Sequence, residues 1–196
     1  MSFGNGGFPH REGMTLMLLP QLPEDAQGPS AKSSGEVFYN PAMAGSRTRS
    51  VLLFRHAMEE GMLGDGTVYA LDGLTASGLR ARRWMNELPC EMSSRISVTI
   101  VDLEKEALGW AMSSHREFPP TDEVGEFQTF QGDLRTAVLS SGRHWIDIDP
   151  YGSPAPFIDS AMQSMARSGV MEVSATDTAA LTGSSKTALM RRYGAR

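Results

Sequence analysis

The chain has 196 residues, a formal net charge of −5 and ordinary proportions of apolar and charged residues. It therefore reads as one globular unit, and fibrous, wholly disordered and strongly basic nucleic-acid-binding classes are disfavoured. The single cysteine, Cys90, can form no internal disulfide, and no CxxC or Cys/His grouping has zinc-ligand spacing, so a reducing cytoplasmic setting and no metal are expected.

Residues 1–35 are rich in Gly, Pro and Ser around one short apolar run, Leu16 to Leu19, which predicts a small β-hairpin arm and a flexible connector. That run is too brief for a signal peptide. No segment reaches the roughly 18 apolar residues of a membrane span, so no membrane partner is expected. Residues 36–196 carry the remaining elements as one domain. SRTRSVLLFRHAMEEG reads as a helix ending at Gly61. Short apolar runs then alternate with helical stretches. TVYALDGL is a strand, LRARRWMNELP a helix, ISVTIVDL a strand and EKEALGWAMSSH a helix. EFQTFQGDL and HWIDIDPYGSP are further strands, APFIDSAMQSMARSG a helix, and VMEVSATDT the fifth strand of the series. Strands alternating with helices predict an α/β fold, a mostly parallel sheet flanked by helices, with ligands outside the carboxyl ends of the strands.

Those ends carry Asp72, Asp102, Asp133, Asp149 and Asp177. Any one of them reads most simply as a helix cap or turn residue, but five in series are harder to assign that way. Arginines cluster at Arg47, Arg49 and Arg55, at Arg80, Arg82 and Arg83, and at Arg191, Arg192 and Arg196. Each cluster reads most simply as a solvated helix face.

After the first strand, Gly73, Ala76, Ser77 and Gly78 make a small-residue loop that lets the backbone approach a ligand closely. The loop is neither GxGxxG nor GxxxxGK[ST], so a nucleoside triphosphate is not expected. Asp102, closing the next strand, is placed to accept the hydroxyls of an adenosine ribose. Asp133 is placed to accept the adenine amine, with the Leu134 amide donating to a ring nitrogen. Carboxylates suit a neutral or cationic adenosine compound better than a polyphosphate.

IDIDPYGSPAPFIDSA is the most specific motif. Asp149 leaves a strand, Pro150 stiffens the turn and Tyr151 offers an aromatic face. Methylation of an exocyclic base amine needs such a set. The amine's lone pair is delocalised into the ring, so an acceptor must hold its N–H, orient the nitrogen and take the departing proton. Tyr151 can stack on a base turned out of its helix. The competing reading is a structural Asp-Pro turn with a packed tyrosine.

EGMTLMLLP, VFYNPAMAGSRTRSV, YALDGLTASGLRARRW, VDLEKEAL, GDLR, IDIDPYGSPAPFIDSA, VSATDTAALTG and RRYGAR occur in that order. The chain thereby resembles the archaeal form of the tRNA (guanine-26-N2) dimethyltransferase family. The resemblance implies a Rossmann-like class I fold and transfer of methyl groups from S-adenosyl-L-methionine to guanine N2 in tRNA. It also implies cofactor contacts at Arg47, Arg80, Asp102, Asp133 and Leu134 and catalysis by Asp149, while the turn's own residues offer Pro150 and Tyr151 to the substrate base. Tyr151 stands where the family usually has Phe, and Thr182 where a Cys is common. The family's sheet usually continues with two more strands and a further domain. The chain therefore reads as truncated after its fifth core strand, with an exposed sheet edge through which it can self-associate. A catalytically silent RNA- or cofactor-binding fragment and an amino-methyltransferase for another nucleobase remain alternatives.

Overall fold

A computed structural model describes residues 6–21, 37–120, 123–140 and 142–195. Strands β1 (Phe8–Glu12) and β2 (Thr15–Leu19) pair antiparallel as the expected arm; the predicted connector falls largely outside the described residues. Helix α1 (Ala44–Glu59) precedes strand β3 (Val68–Gly73), helices α2 (Leu79–Glu87) and α3 (Cys90–Ser93), strand β4 (Ile96–Asp102) and helix α4 (Lys105–Glu117). Strand β5 (Phe127–Gln131), helix α5 (Leu134–Ala137), strand β6 (Arg143–Ile148), helix α6 (Ala155–Ser164), strand β7 (Met165–Val173), helix α7 (Thr178–Leu181) and helix α8 (Lys186–Tyr193) complete the chain. No described helix is long and apolar enough to cross a membrane.

Strands β3 to β7 form one parallel sheet in the order β5-β4-β3-β6-β7. The chain winds outward from β3 to β5 and then returns to the other side of β3. This leaves a crevice at the carboxyl ends of β3 and β6, where ligands bind in doubly wound sheets.

Strand alternation sends Val68 and Ala70 of β3 to one face, against Phe54 of α1, Trp84 of α2 and Ala111 of α4. Leu71 faces the other way, with Ile146 and Ile148 of β6, Leu134 of α5 and Ala161 of α6. On the first face Phe54 stacks on Trp145 with ring centroids 4.3 Å apart and meets Trp84 edge-on at 5.4 Å. Rings buried this fully contribute about 3–5 kcal/mol each when judged by truncation.

The RARR run of α2 is buried, which corrects the expectation of a solvated face: Arg80, Arg82 and Arg83 are at most 5% exposed. Each head group meets oxygen. Arg82 donates to the carbonyls of Leu16 and Phe118, and burial lowers its pKa to about 10. Arg83 meets Glu87 and, at 3.0 Å, Glu12. Glu12 of β1 also accepts from Arg47 at 2.7 and 2.6 Å and from the Tyr39 hydroxyl at 3.0 Å. Burial would raise the Glu12 carboxyl, but these partners hold it below its usual value. Glu12 thus ties the arm to both α1 and α2, and Arg82 adds a second tie between α2 and the arm.

The predicted helix over 155–169 ends at Ser164 instead, and β7 begins at Met165. The Ser164 hydroxyl bonds back to the Ala161 carbonyl at 2.9 Å, and Met165 is already extended. The strand then shifts register between Arg143 and Trp145, where Gly169 lies so close to the His144 carbonyl that a Cβ would stand 2.8 Å from it.

Candidate functional site

A cavity of about 990 Å3 opens at the carboxyl ends of β3, β4 and β6. Its floor is the loop after β3. Leu74 and Ala76 adopt left-handed φ of 62° and 49°, a conformation costing roughly 1–3 kcal/mol at a non-glycine residue. Surrounding bonds enforce it. Thr75 N–H donates to the Val101 carbonyl at 2.9 Å, Ala76 N–H to Asp102 Oδ2 at 2.9 Å, and the Thr75 hydroxyl to Asp72 Oδ2 at 2.6 Å. Gly78 caps α2 with φ 68°, and a Cβ there would stand 2.6 Å from that of Ala111, so glycine is required.

The register of the sheet aligns Asp72 of β3 with Asp147 of β6, and Asp147 with Glu172 of β7. Two residues earlier the same face carries the apolar row Ala70, Trp145 and Val170. The carboxylate row therefore continues the core toward the cavity. Arg80 of α2 lies over it, with Nε 3.1 Å from Asp147, Nη1 3.5 Å from Glu172 and Nη2 bonded to Asp149. Burial acts on every member. It raises Asp72 to about 6, raises Asp147 well above the carboxylate range and raises Glu172. For Arg80 burial pulls the pKa down, but Asp147, Asp149, Asp72 and Glu172 together raise it. One guanidinium stands among these carboxylates, so burial and their mutual repulsion favour the protonated form within the row.

Asp147 is fully buried, and among the described residues neither of its oxygens has an aligned hydrogen bond. Its raised pKa means the folded chain binds a proton that the unfolded chain has released. That stability is complete below the ordinary carboxylate range and is lost as pH rises through the folded value. Asp147→Asn cannot ionise, so its Tm is expected to fall less than the wild type's as pH rises above the ordinary carboxylate range. Parallel Tm curves would contradict this protonation.

At the mouth, Tyr151 is 82% exposed, which removes the packed-tyrosine reading, and its ring meets Phe38 edge-on at 6.5 Å. Gly152 N–H donates to the Thr176 hydroxyl at 2.8 Å and Thr176 N–H to the Gly152 carbonyl at 3.1 Å, tying the turn to the segment after β7. There Asp177 accepts from the Tyr193 hydroxyl at 2.7 Å and Arg192 at 3.3 Å.

Six of the eight residues singled out from the sequence line this cavity: Arg47, Arg80, Asp102, Asp149, Pro150 and Tyr151. Asp133 and Leu134 do not. Asp133 caps α5, accepting from Arg135 N–H at 2.8 Å, and its pKa falls to about 2 through bonds from the Arg135 side chain and backbone. The Leu134 side chain is buried in the second core. Gly132 N–H, however, donates to the Asp102 carbonyl at 3.0 Å, which holds this turn beside the end of β4. Sequence reasoning missed Phe38, Asp147 and Glu172. The IDID alternation signalled Asp147, since residues two apart share a strand face.

The sequence profile of the family described as "TRM: N2,N2-dimethylguanosine tRNA methyltransferase" matches residues 21–196. A tRNA (guanine(26)-N(2)/guanine(27)-N(2))-dimethyltransferase of Aquifex aeolicus is 32% identical over 95% of this chain and 45% of its own length. A tRNA (guanine(26)-N(2))-dimethyltransferase of Methanoculleus marisnigri is 36% identical over 94% of this chain and 44% of its own. The chain thus spans somewhat less than half the length of these relatives. Among solved structures, a SAM-dependent methyltransferase from Agrobacterium tumefaciens superposes with a TM-score of 0.56 at 12% identity, over 85% of this chain and 51% of the other. The M. jannaschii tRNA m1G37 methyltransferase gives 0.53 at 12%, over 83% and 41%. These two establish the Rossmann-like methyltransferase fold alone. By its profile and its relatives, the chain belongs to the N2,N2-dimethylguanosine tRNA methyltransferase family.

Proposed function

We propose that this chain carries the cofactor-binding and catalytic part of an enzyme that transfers methyl groups from S-adenosyl-L-methionine to N2 of a guanine in tRNA. The reading rests most on one observation: Asp102 and Asp149 face a single cavity across the loop that follows β3. Residues 36–196 would form the methyltransferase domain and residues 1–35 its arm.

The donor set fits the cofactor. Each Asp102 oxygen accepts one backbone N–H, from Ala76 at 2.9 Å and Glu104 at 2.9 Å, and an ionised carboxylate oxygen accepts more than one. Asp102 can therefore hold both ribose hydroxyls while it fixes the loop. Asp133 and the Leu134 amide, held beside the end of β4, are assigned to the adenine. Arg47 and Arg80 reach the cavity wall with donors beyond those given to protein carboxylates, and are assigned to the cofactor's carboxylate. Bound there, the cofactor supplies an electrophilic methyl group.

Asp149 does the work at the substrate. Its carboxylate accepts an N–H of the guanine amine, turns the nitrogen lone pair toward the cavity interior, and receives the proton that nitrogen must shed. Pro150 fixes the turn, and the exposed Tyr151 ring gives the base a stacking face beside Phe38.

The test is mass spectrometry of nucleosides after incubation of the chain with unmodified tRNA and S-adenosyl-L-methionine. N2-methylated guanosine is the expected product. A methylated adenosine or cytidine, or no product in single-turnover conditions, would refute the reading.

A further inference from the structure

We propose that Glu172 and Asp147 are positioning residues which, acting through Arg80, fix the Asp149 carboxylate at the cavity wall; the inference rests on the role given to Asp149 above. Like charges directly opposite one another on neighbouring strands destabilise a sheet. Here three carboxylates occupy one row across β3, β6 and β7. Burying such groups is weak evidence for stability, because desolvation offsets much of the attraction that pairs them. A surface Asp-Pro turn needs no such support.

The geometry shows what the row does. Arg80 turns its three nitrogens to three carboxyl groups: Nη1 bonds Glu172, Nη2 bonds Asp149, and Nε lies 3.1 Å from Asp147 without an aligned hydrogen bond. A guanidinium is a rigid planar fork, so seating Nε against Asp147 of β6 and bonding Nη1 to Glu172 of β7 fixes the direction in which Nη2 points. Glu172 is itself pinned, accepting from the Ser50 hydroxyl at 2.5 Å, and Ser50 accepts from Trp84 Nε1 at 3.0 Å. A continuous path thus runs from the aromatic core through Ser50, Glu172 and Arg80 to Asp149. Among the described residues, the hydrogen bond to the Asp149 side chain comes from Arg80.

Glu172→Gln removes the charge and keeps the shape. Single-turnover methyl transfer at saturating cofactor and tRNA is expected to fall roughly 10–100-fold, a loss that further cofactor does not restore. Ser50→Ala, which keeps the charge but loosens Glu172, should move the rate in the same direction by less. A crystal structure of Glu172→Gln should show Asp149 turned away from Arg80. A wild-type rate in Glu172→Gln, a rate loss fully restored by raising the cofactor concentration, or an unmoved Arg80–Asp149 pair would overturn the proposal. A wild-type chain that methylates nothing would instead sink the functional reading, and the crystallographic comparison would still decide the positioning role.

Discussion

Asp149→Ala is expected to slow methyl transfer about a hundred- to ten-thousand-fold, the span usual for a lost general base, while binding of S-adenosylhomocysteine stays within a few-fold of wild type. Single-turnover assays at high enzyme concentration read the first effect and calorimetry the second. The separation follows from placement. Asp149 follows the end of β6 and pairs with Arg80, whereas the loop after β3, to which the adenosine is assigned, is held by Asp72 and Asp102. Asp149→Asn divides the two tasks given to the carboxylate. Its amide oxygen still accepts a hydrogen bond from the guanine amine but cannot take a proton, so its rate should lie between wild type and alanine. Equal rates in all three chains would remove Asp149 from the chemistry.

Much of this arrangement was legible along the chain. Apolar runs such as ISVTIV and HWIDI alternate with helical stretches, and that pattern alone implies a parallel sheet with chemistry at its carboxyl ends. The hairpin arm, α1 and the DPYGSP turn also followed from local signals. What stayed hidden depends on register or on distant partners. Asp147 and Glu172 stand 25 positions apart, and only the pairing of β6 with β7 places them side by side. The arginines of α2 looked like a solvent face because nothing nearby in sequence announces Glu12, 71 residues from Arg83, or the Leu16 carbonyl, 66 residues from Arg82. The end of α6 was missed because Ser164 bonds back into its own helix, and a serine's choice between backbone partners leaves no periodic trace. At the site, residue types pointed to Asp102 and Asp149, while the device that orients Asp149 emerged only from three strands and two helices together.

The second large effect is expected at Asp102. If this carboxylate grips the ribose, Asp102→Ala forfeits charge-assisted bonds worth about 1.5–3 kcal/mol each, and affinity should drop at least roughly ten-fold. The substitution also releases the Ala76 and Glu104 amides, which favours the same direction because the loop is pre-formed by them. Asp102→Asn, keeping one acceptor oxygen for the loop, should fall between the two. The decisive measurement is calorimetric titration of S-adenosylhomocysteine into the wild-type chain and these two variants. Saturable binding by wild type with stepwise weakening through Asn to Ala is the predicted result. Identical affinities in all three, or no binding by a folded wild-type chain, would contradict the placement of an adenosine cofactor at the ends of these strands.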